Sequence, residues 1–200
     1  MKSIWITGAS SGIGKAVALK FANEGWQVAA SARREDLLNK IAESNENISS
    51  FPLDVTDSEK CRDVFEQIKN KLKSIDICFF STGTWDPIKE KEINVDQMKK
   101  VMNVNFFGTL NCIKAVEKYF REKNSGHISI VSSIAGYRGL PNSTGYGASK
   151  AALNNLAESL YFDFGRNNVR VSLVSPGFIK TQMTDKNQFK MPFLKTAEYA

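Results

Sequence analysis

Six short apolar runs alternate along the chain with longer stretches whose apolar residues recur every three or four positions. The runs, Lys2 to Thr7, Trp26 to Ala32, Ile48 to Leu53, Ile75 to Phe80, His127 to Val131 and Val169 to Val174, read as strands buried on both faces. The stretches between them read as helices. Val17, Ala18, Phe21 and Ala22 form an apolar face that stops at Gly25, Leu37, Leu38 and Ile41 form a second, and a third is capped by Thr56 or Asp57 and runs to about Lys73. Asn94 to Arg121 reads as one long helix through Met98, Val101, Met102, Leu110, Ile113 and Val116. A last helix carries Tyr146 and continues through Leu153, Leu156, Leu160 and Phe164. Regular alternation of strand and helix predicts an α/β fold: a doubly wound parallel sheet of about six strands, Rossmann-like, between two helical layers. Two hundred residues suit a single domain spanning 1–200.

Composition narrows the classes. With 42% apolar and 24% charged residues the chain is globular, and no apolar run approaches the ~20 residues that span a bilayer. A first strand that follows Met1-Lys2 leaves too little room for a signal peptide, so a cytoplasmic location with no membrane partner is expected. Cys61, Cys78 and Cys112 are odd in number and have no paired spacing, and His127 is the single histidine, so neither a disulfide framework nor a metal site is expected. The net charge of +6 suits an anionic ligand. It would also suit nucleic acid, but basic runs and aromatic-basic interleaving are missing, so no nucleic-acid partner is expected.

The first strand runs directly into Gly8-Ala-Ser-Ser-Gly-Ile-Gly14, and a helix starts at once. In that setting Gly8, Gly12 and Gly14 let backbone approach a diphosphate, and Ser10, Ser11 and Ile13 sit where a helix N-terminus offers free N–H groups. The spacing differs from Gly-x-Gly-x-x-Gly, and Ala9 and Ala16 exclude the nucleoside-triphosphate loop. The second strand ends in Ala32-Arg33-Arg34, where an acidic residue would favour NAD and an arginine favours the 2′-phosphate of NADP. NADP(H) is the expected cofactor, with Arg33 as the main contact; both arginines, Arg34 above all, also suit the polar start of the following helix.

Tyr146 and Lys150 stand four residues apart on one helix face. Ionising a tyrosine at neutral pH costs roughly 4 kcal/mol. A cation at ~4–5 Å contributes roughly 3–4 kcal/mol at an effective dielectric of ~20, so Lys150 is expected to lower the Tyr146 pKa. Taken alone, the pair equally describes a core aromatic and a snorkelling lysine.

Gly8, Gly12 and Gly14, with Asp54, Asn105, Ser133, Tyr146-x-x-x-Lys150 and Pro176-Gly177, in this order and spacing, resemble the short-chain dehydrogenase/reductase family in its NADPH-preferring form. The resemblance implies hydride transfer between NADP(H) and a small-molecule carbonyl or alcohol. It implies Tyr146 as general acid/base, Ser133 as hydrogen-bond donor to the substrate oxygen, Lys150 as tuner and ribose ligand, and Asn105 as holder of a water. It further implies Asp54 and Val55 at the adenine, Gly83 near its ribose, and Ile179 and Thr181 at the carboxamide, after Pro176 and Gly177. A homodimer or homotetramer is expected by the same analogy. Alternatives stay open: Ser132 as the active hydroxyl, Asp54 as a helix cap, Asn105 as a core amide, and a non-catalytic NADP(H) sensor acting through a protein partner. Ser81 stands where the family often has asparagine, and a seventh strand usual in the family is missing before Ala200, so truncation at the C-terminus is expected. Trp85, Tyr137, Leu140 and the segment from Met183 to Phe193 are expected near the substrate.

Overall fold

The computed structural model describes residues 1–86, 93–187 and 190–199. Six parallel strands form one sheet: β1 (Ser3–Thr7), β2 (Gln27–Ser31), β3 (Ile48–Ser50), β4 (Ile77–Phe80), β5 (Gly126–Val131) and β6 (Val169–Val174). Their spatial order is β3-β2-β1-β4-β5-β6. The helices are α1 (Gly12–Asn23), α2 (Glu35–Glu43), α3 (Ser58–Leu72), α4 (Val95–Met102), α5 (Gly108–Lys123) and α6 (Thr144–Gly165).

Alternate strand residues divide between two apolar layers, as a period of two requires. Ile4, Ile6, Val28 and Ala30 pack with Ala18 and Ala22 of α1 and Leu38 and Ile41 of α2. Trp5, Ala29, Cys78 and Phe80 face the other way, onto Phe65 of α3, Phe120 of α5 and Phe164 of α6. Trp5 is fully buried, and its Nε1 donates to Ser31 Oγ at 2.9 Å, so the largest ring of the core leaves no polar atom unmet.

The chain winds outward from β1 to β3, then returns to place β4 on the other side of β1. That reversal leaves a crevice beyond the carboxyl ends of β1 and β4, into which both following loops open. The third run is a strand only over Ile48–Ser50, although Phe51 N and Leu53 N still donate to Ala30 O and Ala32 O and so carry the chain along β2 to the crevice.

The long helix expected over Asn94 to Arg121 is interrupted. Between α4 and α5, Asn103–Phe107 form a π-helical turn, and α5 ends at Lys123. The extra residue per turn aims Asn105 inward, where it is fully buried. Among the described residues no helix is long and apolar enough to cross a membrane.

Candidate active site

The loop between β1 and α1 is built so that backbone, not side chains, faces the crevice. Gly12 has φ of 56°, a left-handed value that suits glycine. A Cβ on Gly14 would lie 2.4 Å from Gly8 O, so α1 can press against the loop only with glycine there. Ser11 is the N-cap of α1 with extended backbone, and its side chain makes no capping bond. Instead Ser11 Oγ accepts from Arg34 Nη2 at 2.7 Å, and Ser10 Oγ accepts from the same nitrogen at 3.0 Å. The N–H groups of the first turn are left facing the crevice, the arrangement that binds phosphate. Ser81, in the position often held by asparagine, donates to Thr7 O at 2.7 Å and ties the ends of β1 and β4 together.

The two arginines after β2 have different neighbours. Arg33 Nη1 lies 3.9 Å from Asp54 Oδ2, on a pair of exposed side chains. Arg34 reaches the glycine loop and also donates to Gln182 Oε1 at 2.8 Å. Arg34 is therefore more than the polar start of α2: it spans the crevice mouth. Burial opposes the Asp54 carboxylate, but the Thr56 N–H and hydroxyl, with Arg33 beside it, hold its pKa below the ordinary value. Val55 is held at its carbonyl by Asn111 Nδ2 at 3.0 Å, and a Cβ on Gly108 would come within 2.5 Å of Val55 Cγ2.

Tyr146 and Lys150 lie in the first turns of α6, and both reach the crevice. Lys150 Nζ is 5.7 Å from the Tyr146 ring centroid and donates to Val131 O at 2.8 Å. Ser133 caps the short 3₁₀ turn Ile134–Gly136: its Oγ accepts from Ala135 N at 3.2 Å, and its hydroxyl sits close enough to the Tyr146 phenol to stabilise the phenolate. Ser132 is turned away, bonded to Lys150 O at 3.1 Å and Asn154 Oδ1 at 2.5 Å. Of the two adjacent serines, Ser133 is the one on the phenol.

The electrostatics differ from the expected tuning. Burial pushes the Tyr146 phenol up from its ordinary value, and the Ser133 hydrogen bond opposes this incompletely. Burial also brings Lys150 down to about 8. The same loss of solvation disfavours the charged form of each partner. The ammonium is held on the Val131 carbonyl, 5.7 Å from the centre of the phenol ring.

Asn105 lies behind the crevice wall. Its Oδ1 accepts from Thr84 N at 2.7 Å, and its Nδ2 donates to Thr84 O at 3.0 Å and Ser149 Oγ at 2.9 Å. Its backbone carbonyl accepts from Thr109 Oγ1 at 2.8 Å. The side-chain amide thus clamps the loop after β4. A Cβ placed on Gly83 would be 3.6 Å from both Asn105 Oδ1 and Lys150 Nζ, so these heads converge on one point beneath the loop.

A single cavity of about 290 Å³ runs along the crevice. Its wall contains the glycine loop with Ser10, Ser11 and Ile13, then Arg33, Arg34, Asp54, Val55 and Gly83, then Ser133, Tyr146, Lys150, Pro176, Gly177, Ile179 and Thr181. Ser81 lines it too, as does Met183 at the start of the segment expected near the substrate, while Thr82, Val104 and Gln182 line it and were missed, since nothing in their local pattern marks them. Trp85, Tyr137 and Leu140 are not on this wall; Tyr137 and Leu140 are exposed beside it, with the Tyr137 hydroxyl 3.3 Å from Ser175 Oγ. In the segment from Met183 to Phe193, Gln188 and Phe189 lie outside the described residues. The chain beyond them returns to the site, where Lys195 pairs with Ile179.

The family model described as short chain dehydrogenase matches residues 2–191. An uncharacterised oxidoreductase of Staphylococcus epidermidis is 34% identical over 185 residues, covering 92% of this chain and 80% of that protein. The 3-oxoacyl-acyl-carrier-protein reductase FabG of Thermotoga maritima is also 34% identical over 185 residues, covering 90% and 75%. Among solved structures, ElxO with NADP bound superposes with a TM-score of 0.89 at 30% identity, covering 98% of this chain and 87% of that one.

Proposed function

The chain belongs to the short-chain dehydrogenase family, and we propose that it transfers hydride between NADP(H) and the carbonyl or alcohol carbon of a small to medium organic substrate. One observation carries the reading: Ser133, Tyr146 and Lys150 share a single crevice with a glycine cradle that a Cβ would fill. The residues fit a dinucleotide. The backbone at Gly12 and Gly14 with the open first turn of α1 suits a diphosphate, and Arg33 and Arg34 suit a 2′-phosphate.

When bound, NADPH supplies the hydride. Tyr146 Oη carries the proton for the substrate oxygen, and burial keeps that proton in place at neutral pH. Ser133 Oγ accepts from Ala135 N, and its hydrogen, set beside the Tyr146 phenol, would turn to the substrate oxygen on which charge develops. Lys150, fixed on Val131 O, holds positive charge beneath the same oxygen until the pH exceeds about 8. Asn105 keeps the Thr84 loop closed over that amine. A sensor would have no use for a buried amine, so the enzyme is preferred to the non-catalytic reading. In the proposed homodimer or homotetramer, the exposed Phe107, Tyr161 and Phe162 supply apolar surface on the π turn and α6 for pairing.

A panel of ketones and aldehydes with NADPH tests this, with Tyr146→Phe as the partner variant. The variant should bind NADPH as the parent does, by nucleotide fluorescence, and lose turnover by roughly a hundredfold or more. Near-parental reduction by Tyr146→Phe would remove the phenol from its role.

A further inference from the structure

Ser149 does not line the crevice, yet it is fully buried and bonded on both sides. It directly precedes Lys150. Its hydroxyl donates to Tyr146 O at 2.7 Å, one turn back, and accepts from Asn105 Nδ2 at 2.9 Å. Asn105 in turn accepts from Thr84 N at 2.7 Å. The hydrogen bonds therefore run in one direction, from the Thr84 amide through Asn105 and Ser149 to the Tyr146 carbonyl, and each polarises the next.

This path joins three segments distant in sequence: the loop after β4, the π turn, and the turn of α6 that carries Tyr146 and Lys150. A buried helical serine is already satisfied by a carbonyl of the preceding turn. The bond from Asn105 is additional, and it couples α6 to an element that also holds the crevice wall. On its sheet side the same turn is pinned by Ser132, through Lys150 O and Asn154 Oδ1. Rotation of α6 about its axis is thus opposed from two directions. The sensitivity is high: rotating a helix by ~10° carries a phenol oxygen ~9 Å from the axis through about 1.5 Å, and misplacement by about 1 Å costs roughly a hundredfold in rate.

We propose that Ser149 is a positioning residue for the reaction, setting through Asn105 the rotation of the α6 turn and hence the direction in which Tyr146 and Lys150 enter the crevice. The inference rests on the reading of Tyr146 as the acid.

Ser149→Ala, Ser149→Cys and Ser149→Thr test it, with NADPH and a carbonyl that the parent reduces. Ser149→Ala should lower kcat by roughly ten- to a hundredfold while KM and the NADPH dissociation constant stay within about threefold. Ser149→Thr, which keeps the hydroxyl, should restore kcat to within about threefold, and Ser149→Cys should fall between, since a thiol is a weak acceptor. Ile68→Val, in the core of α3, controls for lost stability and should leave kcat unchanged. A kcat for Ser149→Ala within about twofold of the parent, a matching loss in Ile68→Val, or a loss confined to NADPH affinity would each overturn the proposal. Should Ser149→Ala fail to fold, equal kcat in the Cys and Thr variants overturns it. A parent that reduces no carbonyl refutes the functional reading instead. Ser149 is then judged by the Tyr146 phenolate absorbance, assigned by its loss in Tyr146→Phe: the proposal needs its titration to shift in the Ser149 variants, and an unchanged titration refutes it.

Discussion

Lys150 is 3% exposed, with its ammonium on a backbone carbonyl, and burial lowers its pKa from 10.5 to about 8. Between those values the unfolded chain binds more protons than the folded one, so stability rises with pH across that window. Two and a half units correspond to roughly 3 kcal/mol, a penalty present in full below about pH 8. Lys150→Met removes this titration. Its stability relative to the parent should fall by up to roughly 3 kcal/mol between about pH 7 and pH 10.5, measured by urea unfolding at both. A pH-independent difference would mean that folding leaves the amine at its ordinary pKa. The arginines offer a second test at this scale. In the proposed cofactor site Arg34 gives up neutral partners, Ser10, Ser11 and Gln182, for a phosphate, whereas Arg33 must be shared with Asp54. Arg34→Ala should therefore weaken NADPH binding by roughly ten- to a hundredfold, from a charge-assisted contact of about 1.5–3 kcal/mol, and NADH by much less. Arg33→Ala should have the smaller effect; the reverse ranking by fluorescence titration would put the phosphate on Arg33.

At the scale of elements, strands and helices were legible because each must bury an apolar face, and burial imposes a period on the sequence. The glycine loop was legible for a related reason: only glycine tolerates the left-handed backbone at Gly12 and the contact of Gly14 with Gly8 O. The π turn was not. Asn94 to Arg121 keeps a helical pattern on both sides of Asn103–Phe107, and one inserted residue shifts the phase without breaking it. What marks the turn is tertiary. Asn105 finds Thr84 and Ser149, and the missing Cβ of Gly108 admits Val55. A lone buried asparagine signals that partners exist, but not which segments supply them.

At the scale of the molecule, strand order converts these elements into a site. The reversal between β1 and β4 brings together loops that carry Gly8, Arg33, Asp54, Ser81, Ser132 and Ser175. Because the proposed cofactor would bridge several of them, binding should stabilise the whole fold. NADPH at about a hundred times its dissociation constant should contribute roughly 2.7 kcal/mol. For a domain of this size that raises Tm by roughly 5–11 °C in a thermal melt, and an unchanged Tm would contradict dinucleotide binding in the crevice. Periodicity and steric rules acting on neighbouring residues were enough to set the layered parallel architecture, the glycine loop and the Tyr146–Lys150 face. Three features depended on contacts between residues far apart in the chain: Arg34 on the glycine loop, the Thr84–Asn105–Ser149 path, and protonation pushed toward neutrality in Tyr146 and Lys150 alike. Hydrogen-bond partners and solvent exclusion are properties of packed space, and a linear pattern carries neither.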